Sequence, residues 1–254
     1  LHLHILDYVA GQYFREATAS HAEKRIFDRM NLLDYLIQPY RDYSLLQILL
    51  ESCGAFFGLL SVWFSARKNI WVYPTGIIST AIYVYILYNF GLLGDMLINV
   101  YYTIMSIYGW ILWSGNREDA VHVTVKRATR KDWTVTAILF AVSLLLVTLV
   151  YYFKPFIDNQ FSMQNIDLGL DHLDWANWLD VLTTAIFLAG MWLMAKRRIE
   201  NWIFWIVGDI ICIPMMIYKE LGITAVQFAV FTVLAFYGYR EWRLSLQKEP
   251  ELIS

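Results

Sequence analysis

Charge is scarce in this chain. Only 17% of its 254 residues are Asp, Glu, Lys or Arg, where a soluble domain carries about a quarter. The formal net charge of −2 offers no basic field to nucleic acid and argues against it as a partner. Cysteine is scarcer still. Cys53 and Cys212 both fall inside apolar runs, too few and too far apart for a disulfide framework or a zinc site, and are expected as core residues. The histidines (His2, His4, His21, His122 and His172) all lie outside the apolar stretches, without carboxylate or thiol neighbours at ligand spacing, so neither a metal nor a cofactor is expected. A nucleotide-binding glycine-rich loop is missing, which argues against ATP-driven transport by this chain alone. Residues 1–40 are amphipathic and charged, so they do not read as a cleavable signal peptide.

Apolar and aromatic residues dominate instead: 58% of the chain is hydrophobic, with 11 Trp and 17 Tyr. The pattern is stated twice. Trp63-Phe64-Ser65-Ala66-Arg67-Lys68 returns 129 positions later as Trp192-Leu193-Met194-Ala195-Lys196-Arg197. An Asn follows each (Asn69, Asn201), then a Gly seven residues on (Gly76, Gly208). Both units close alike, with Tyr108-Gly109 and Trp113 echoed by Tyr237-Gly238 and Trp242. A membrane-crossing helix needs about 20 mostly apolar residues, and seven stretches qualify: 45–66, 69–89, 94–113, 133–153, 180–195, 201–219 and 223–242. The expected fold is an all-α membrane protein of seven transmembrane helices, in which spans one to three recur as five to seven around a lone fourth. That is a 3+1+3 parallel repeat, an arrangement typical of transporters. The expected divisions are an interfacial segment (1–44), a first three-helix unit (45–113), a connector holding the fourth span (114–179), a second unit (180–243) and a tail (244–254).

Loop charges set the orientation. Arg67, Lys68, Lys126, Arg127, Arg130, Lys131, Lys196, Arg197, Arg198, Arg240 and Arg243 collect on one side, while Asp158, Asp167, Asp171 and Asp174 lie on the other. The positive-inside rule makes the first side cytoplasmic, with the C-terminus inside and the N-terminus outside. Residues 1–44, whose basic and acidic side chains balance, suit one or two amphipathic helices on the bilayer surface.

Polar residues inside the spans mark candidate sites. Asn201, Trp205 and Asp209 follow at i, i+4 and i+8 and share one helix face, and an ionisable group about 12 Å into a span points to a cavity or a partner. The matching positions in the first unit are read as Asn69, Tyr73 and Ile77, so the scaffold is duplicated but the acid is not. Asp95, Asn99 and Tyr102 line one face of the third span; Thr224, Gln227 and Phe231 that of the seventh. Helix–helix glue and a shared central pocket are both open for these amides. Asp180 opens the fifth span with Thr183 and Thr184, either as a pocket residue or as a first-turn acid complementing the helix dipole. Trp110, Trp113, Trp202 and Trp242 are expected as interfacial anchors on the inner side, Trp175 and Trp178 on the outer. Trp205 is the best stacking candidate; Tyr83 and Trp71 are weaker ones.

The ordered set of residues resembles a known family. Trp71-Val72-Tyr73-Pro74-Thr75-Gly76-Ile77, Gly94-Asp95-Met96 with Asn99, and Tyr108-Gly109-Trp110 with Trp113 look like the first half of the PnuC family of vitamin transporters. Asp180-Val181-Leu182-Thr183-Thr184, Trp192, Glu200-Asn201-Trp202, Trp205, Asp209 and Thr224-Ala225 look like its second half. The resemblance spans roughly residues 45–243 and implies a SWEET-like fold, nicotinamide riboside as substrate, facilitated diffusion with cytoplasmic phosphorylation trapping the nucleoside, a bacterial inner-membrane location, a homotrimer and no enzymatic activity. A flat cationic pyridinium suits a Trp face. The assignment is Trp205 as platform, Asn201 as carboxamide partner and Asp209 as ribose acceptor or charge complement, with Gln227, Asn99, Tyr102, Thr224, Tyr83, Thr184 and Asp180 around them. Thiamine, riboflavin or a sugar is the alternative cargo. An intramembrane enzyme built on Asp209 would need a second catalytic group, and only Asp95 or Asp180 is at hand. A channel lacks both a ring of matched charges and a filter.

Overall fold

The computed structural model describes residues 44–89, 93–116, 122–159, 161–163, 167–171, 173–218 and 222–248. The expectations for the segment before residue 44 and for the tail beyond residue 248 lie outside the described residues. Those described form α1 (Leu45–Ala66), α2 (Val72–Asn89), α3 (Leu93–Ser114), α4 (Arg130–Tyr152), the short α5 (Lys154–Asp158), α6 (Trp175–Ala195), α7 (Asn201–Tyr218) and α8 (Gly222–Lys248). Five of these, α1, α3 over Met96–Ser114, α4, α6 and α7, are long and apolar enough to cross a membrane.

Capping chemistry sets the helix starts. Ser44 with Gln47, Thr129 with Asp132, and Asp174 with Asn177 each form a reciprocal capping box, in which side chain and backbone satisfy two orphan donors. The third corrects a sequence expectation. Because Asp174 caps the helix, α6 begins at Trp175 rather than residue 180, and Asp180 lies beyond the first turn, where the helix dipole has little hold on it. α1 and α6 end alike. Lys68 (φ 58°) and Arg197 (φ 60°) are left-handed, and the next amides reach back to Phe64 O and Leu193 O, both at 2.9 Å. This is the Schellman closure, here built without glycine.

The helices close into a ring. α1 packs on α2, α2 on α3, α6 on α7 and α7 on α8, and the ring is completed by α3 against α6 and α8 against α1. α4 packs on α6 from outside and presents Ile138, Leu145, Leu146 and Leu149 outward, a face suited to hydrocarbon. Contacts between the halves are reciprocal at the 129-residue shift. Trp113 Nε1 donates to Met194 O (3.3 Å), and Trp242 Nε1 to Ser65 O (2.9 Å). Trp63 stacks on Tyr237 (5.7 Å) as Trp192 stacks on Tyr108 (6.2 Å). Residues 122–126 bridge the two helix-end loops: Val123 N donates to Lys68 O, and Lys126 N to Arg197 O.

Three tryptophans depart from expectation. Trp113, Trp202 and Trp242 are buried to within 2% and interlock at the ring's seam, Trp242 meeting Trp113 at 6.0 Å and Trp202 at 5.6 Å. Of the six expected anchors, Trp110, Trp175 and Trp178 are exposed as anchors would be. The repeated glycines make room for this packing. A Cβ on Gly109 would stand 2.4 Å from Tyr73 Oη, and one on Gly238 2.5 Å from the Trp202 ring. Each glycine admits a large ring that a side chain would expel. Gly109→Ala is therefore expected to cost about 1–3 kcal/mol by overpacking, since Tyr73 is fully buried and edge-on to Trp113; a thermal melt of the purified protein reads it directly. Of the cysteines, Cys212 is buried but Cys53 is exposed on α1, so only one is a core residue.

Candidate functional site

The ring encloses a cavity of about 190 Å³, far more than the ~10–15 Å³ that one water occupies on this measure. Its two walls come from the two halves and differ in kind. α1, α2 and α3 contribute small and hydroxylic residues: Gly54, Gly58, Ser61, Gly76, Ser79, Thr80 and Ser106, with Tyr83 and Tyr102. α6, α7 and α8 contribute Phe187, Met191, Trp205, Asp209, Thr224, Gln227, Phe228 and Phe231.

The reciprocal backbone contacts fix which positions correspond. Val72 N bonds Asn69 O as Asn201 N bonds Arg198 O, and Tyr73 N bonds Ile70 O as Trp202 N bonds Ile199 O. The 129-residue shift thus continues unbroken through α2 and α7. This corrects the sequence pairing of Asn201, Trp205 and Asp209 with Asn69, Tyr73 and Ile77; the structural partners are Val72, Gly76 and Thr80. At the shared cavity positions, Gly58 corresponds to Phe187, Gly76 to Trp205 and Thr80 to Asp209. One backbone plan thereby yields an open polar wall and a filled aromatic one.

On the polar wall the hydroxyls of Ser61, Ser79 and Thr80 are engaged. Ser61 Oγ donates to Val72 O (2.8 Å) and Ser79 Oγ to Gly54 O (2.8 Å). Thr80 Oγ1 lies 3.0 Å from Gly76 O and 2.8 Å from Thr103 Oγ1. A hydroxyl oxygen that has donated still has lone pairs to offer, so this wall suits a ligand bearing hydroxyl donors. On the opposite wall Phe187 stacks on Trp205 (5.5 Å, 24° between planes) and on Phe228 (6.3 Å, 3°). Asp209, 4% exposed, is the sole carboxyl group on the lining among the described residues, and no described Lys, Arg or His lines the cavity. The site carries acceptors, flat apolar faces and a carboxyl group.

The sequence candidates divide. Trp205, Asp209, Gln227, Tyr102, Thr224 and Tyr83 border the cavity. Asn201, Asn99, Thr184 and Asp180 are not on its lining. Asn201, the first residue of α7, is fully buried beside Trp202; its amide nitrogen donates to Arg198 O, and Oδ1 has no partner among the described residues. Asn99 is 1% exposed within α3. Thr184 is half-buried on α6. Asp180 accepts from Tyr151 Oη of α4 at 3.0 Å and occupies the position that Glu51, also buried, holds in the first half. Phe187, Phe228 and the serines of the polar wall were not singled out from sequence. Carrying the 129-residue shift through the first helix of each unit would have matched Gly58 with Phe187.

Comparison with known proteins places this architecture. The family described as nicotinamide mononucleotide transporter matches residues 48–244. The nicotinamide riboside transporter PnuC of Escherichia coli K12 is 22% identical over 226 residues, 85% of this chain and 93% of that protein. That of Neisseria mucosa is 27% identical over 206 residues, covering 76% and 71% respectively. The riboflavin/roseoflavin transporter RibM of Streptomyces davaonensis is 20% identical over 78% of this chain and 86% of its own length. Among solved structures, the crystal structure of the vitamin B3 transporter PnuC superposes with a TM-score of 0.59 at 22% identity, covering 91% of this chain and 94% of that one, which establishes a shared fold. With more than half its length matched by a transporter family and a central cavity ringed by apolar helices, the chain belongs to the nicotinamide mononucleotide transporter family.

Proposed function

We propose that this chain carries nicotinamide riboside across the bacterial inner membrane by facilitated diffusion, with phosphorylation in the cytoplasm retaining the product. The observation that carries this reading is the pairing of Trp205 and Asp209 on one wall with a hydroxyl-accepting wall opposite. The cationic pyridinium finds an aromatic face and a carboxylate, and the ribose finds oxygen acceptors. Trp205 is the platform, Asp209 the charge complement, and Gln227, Thr224, Tyr102 and Tyr83 are positioned for the carboxamide and ribose. Asn201, Asn99, Thr184 and Asp180 then hold the frame around the site.

In the same reading α1–α3, α4 and α6–α8 are seven spans in a 3+1+3 parallel repeat of SWEET-like form. The Lys- and Arg-rich ends lie in the cytoplasm with the C-terminus, and the N-terminus lies outside. The two three-helix units rock about the cavity to alternate access, and the chain assembles as a homotrimer without enzymatic activity. The relative that carries riboflavin and roseoflavin favours a flavin as the second reading of the cargo.

That no described residue on the lining is a cation has a consequence for the phosphorylated product. A phosphate carries about −1.5 to −2 charge, and beside Asp209 in a cavity without Lys or Arg it meets repulsion and desolvation together. The mononucleotide is therefore expected not to compete: a 100-fold excess leaves riboside uptake into proteoliposomes within twofold of its uninhibited rate. Inhibition as strong as that by unlabelled riboside contradicts the assignment of the cavity.

A further inference from the structure

The column of rings in the aromatic wall has a gap-filler. Phe187 stacks on both Trp205 (5.5 Å, 24° between planes) and Phe228 (6.3 Å, 3°). Its place depends on Gly208, where a Cβ would stand 2.3 Å from the Phe187 ring. In the other half the same position is Gly58, where an added Cβ would meet only Ser79 Oγ, at 3.2 Å. Both positions border the cavity, so one residue pair sets how much of the cavity's width is left to a ligand on each side.

We propose that Phe187 is the size-determining residue of the site, limiting its cargo to a single aromatic ring by occupying a slot that would otherwise receive a fused flat ring system. Removing the Phe187 side chain leaves two near-parallel rings facing each other across the space of the one removed. A flat conjugated ligand gains most from such a slot, because it stacks on both sides. Trp205 keeps its other face for the smaller ligand, so the variant widens the range of cargo instead of exchanging one for another. The inference rests on the riboside reading of the site only for what the natural cargo is; the slot follows from the ring geometry.

The test compares wild type with Phe187→Ala and the milder Phe187→Val, titrating riboflavin and nicotinamide riboside separately. Stacking of an isoalloxazine on Trp quenches flavin fluorescence, giving a readout that loss of packing alone does not move. Riboflavin affinity is expected to rise at least tenfold in Phe187→Ala, with quenched emission, and by less in Phe187→Val; riboside affinity falls by less than tenfold in both. A monodisperse variant that binds riboflavin no better than wild type overturns the proposal, as does a wild type that already binds it as tightly as the variants. If Phe187→Ala does not fold, Phe187→Val decides by the same criterion. Failure of wild type to bind the riboside sinks the assigned cargo but leaves the riboflavin comparison able to support or overturn the slot.

Discussion

Asp209→Asn is expected to weaken nicotinamide riboside binding by about 100-fold or more. A carboxylate and a cation ~5 Å apart at an effective dielectric of ~20 attract by about 3 kcal/mol, and no other charge on the lining substitutes for Asp209. The substitution is nearly isosteric, so the aromatic and hydroxyl walls stay in place and the loss reports charge. Calorimetric titration of the purified variant measures it. The reduced riboside, whose ring is uncharged, is the internal control: its affinity changes by less than about fivefold on an electrostatic account of this size. Equal losses for the two ligands would mean that Asp209 acts through the ribose or through packing, not through the ring's charge.

Trp205→Ala is expected to reduce affinity by about 10- to 100-fold, in line with ~1–3 kcal/mol for an aromatic stacking platform and the added cation–π term. Trp205→Phe restores most of it, because a smaller face still stacks. Uptake into proteoliposomes falls in parallel at low substrate and recovers at saturating riboside, since the variant loses binding and keeps its moving parts. The expectation depends on Phe187, which backs one side of the Trp205 ring and holds its orientation. An alanine variant with wild-type affinity would leave the Trp205 face without a role in binding.

Much of this was legible before any fold was seen, for physical reasons that differ from residue to residue. Membrane helices advertise themselves because the bilayer demands long apolar runs; each of the seven expected stretches falls on a helix, and five of those helices are long and apolar enough to cross a membrane. The duplicated helix ends were visible because the Trp63–Lys68 and Trp192–Arg197 segments build the same left-handed closure. Asp209 stood out as an ionisable group too deep to be accidental. The register within the second helix of each unit was not legible: Asn69 and Asn201 look alike in sequence but sit at different places, and only the backbone contacts of Val72 and Asn201 show it. Helix starts were misplaced at α6 because a capping Asp174 reads as one more loop acid. Trp113, Trp202 and Trp242 lie where interfacial anchors belong in sequence, but they pack on one another, and Trp202 is admitted by Gly238 of the neighbouring helix. Phe187 and the wall serines were invisible for the opposite reason, as apolar or small residues in apolar helices are indistinguishable from packing until the cavity shows which of them face it.

The most direct test of the central claim is a calorimetric titration of the purified wild-type chain with nicotinamide riboside, set beside thiamine, riboflavin and glucose. The account predicts saturable binding of the riboside to one site per chain, with none of the other three binding within tenfold of it. Saturable binding of one of those three with no heat from the riboside would contradict it.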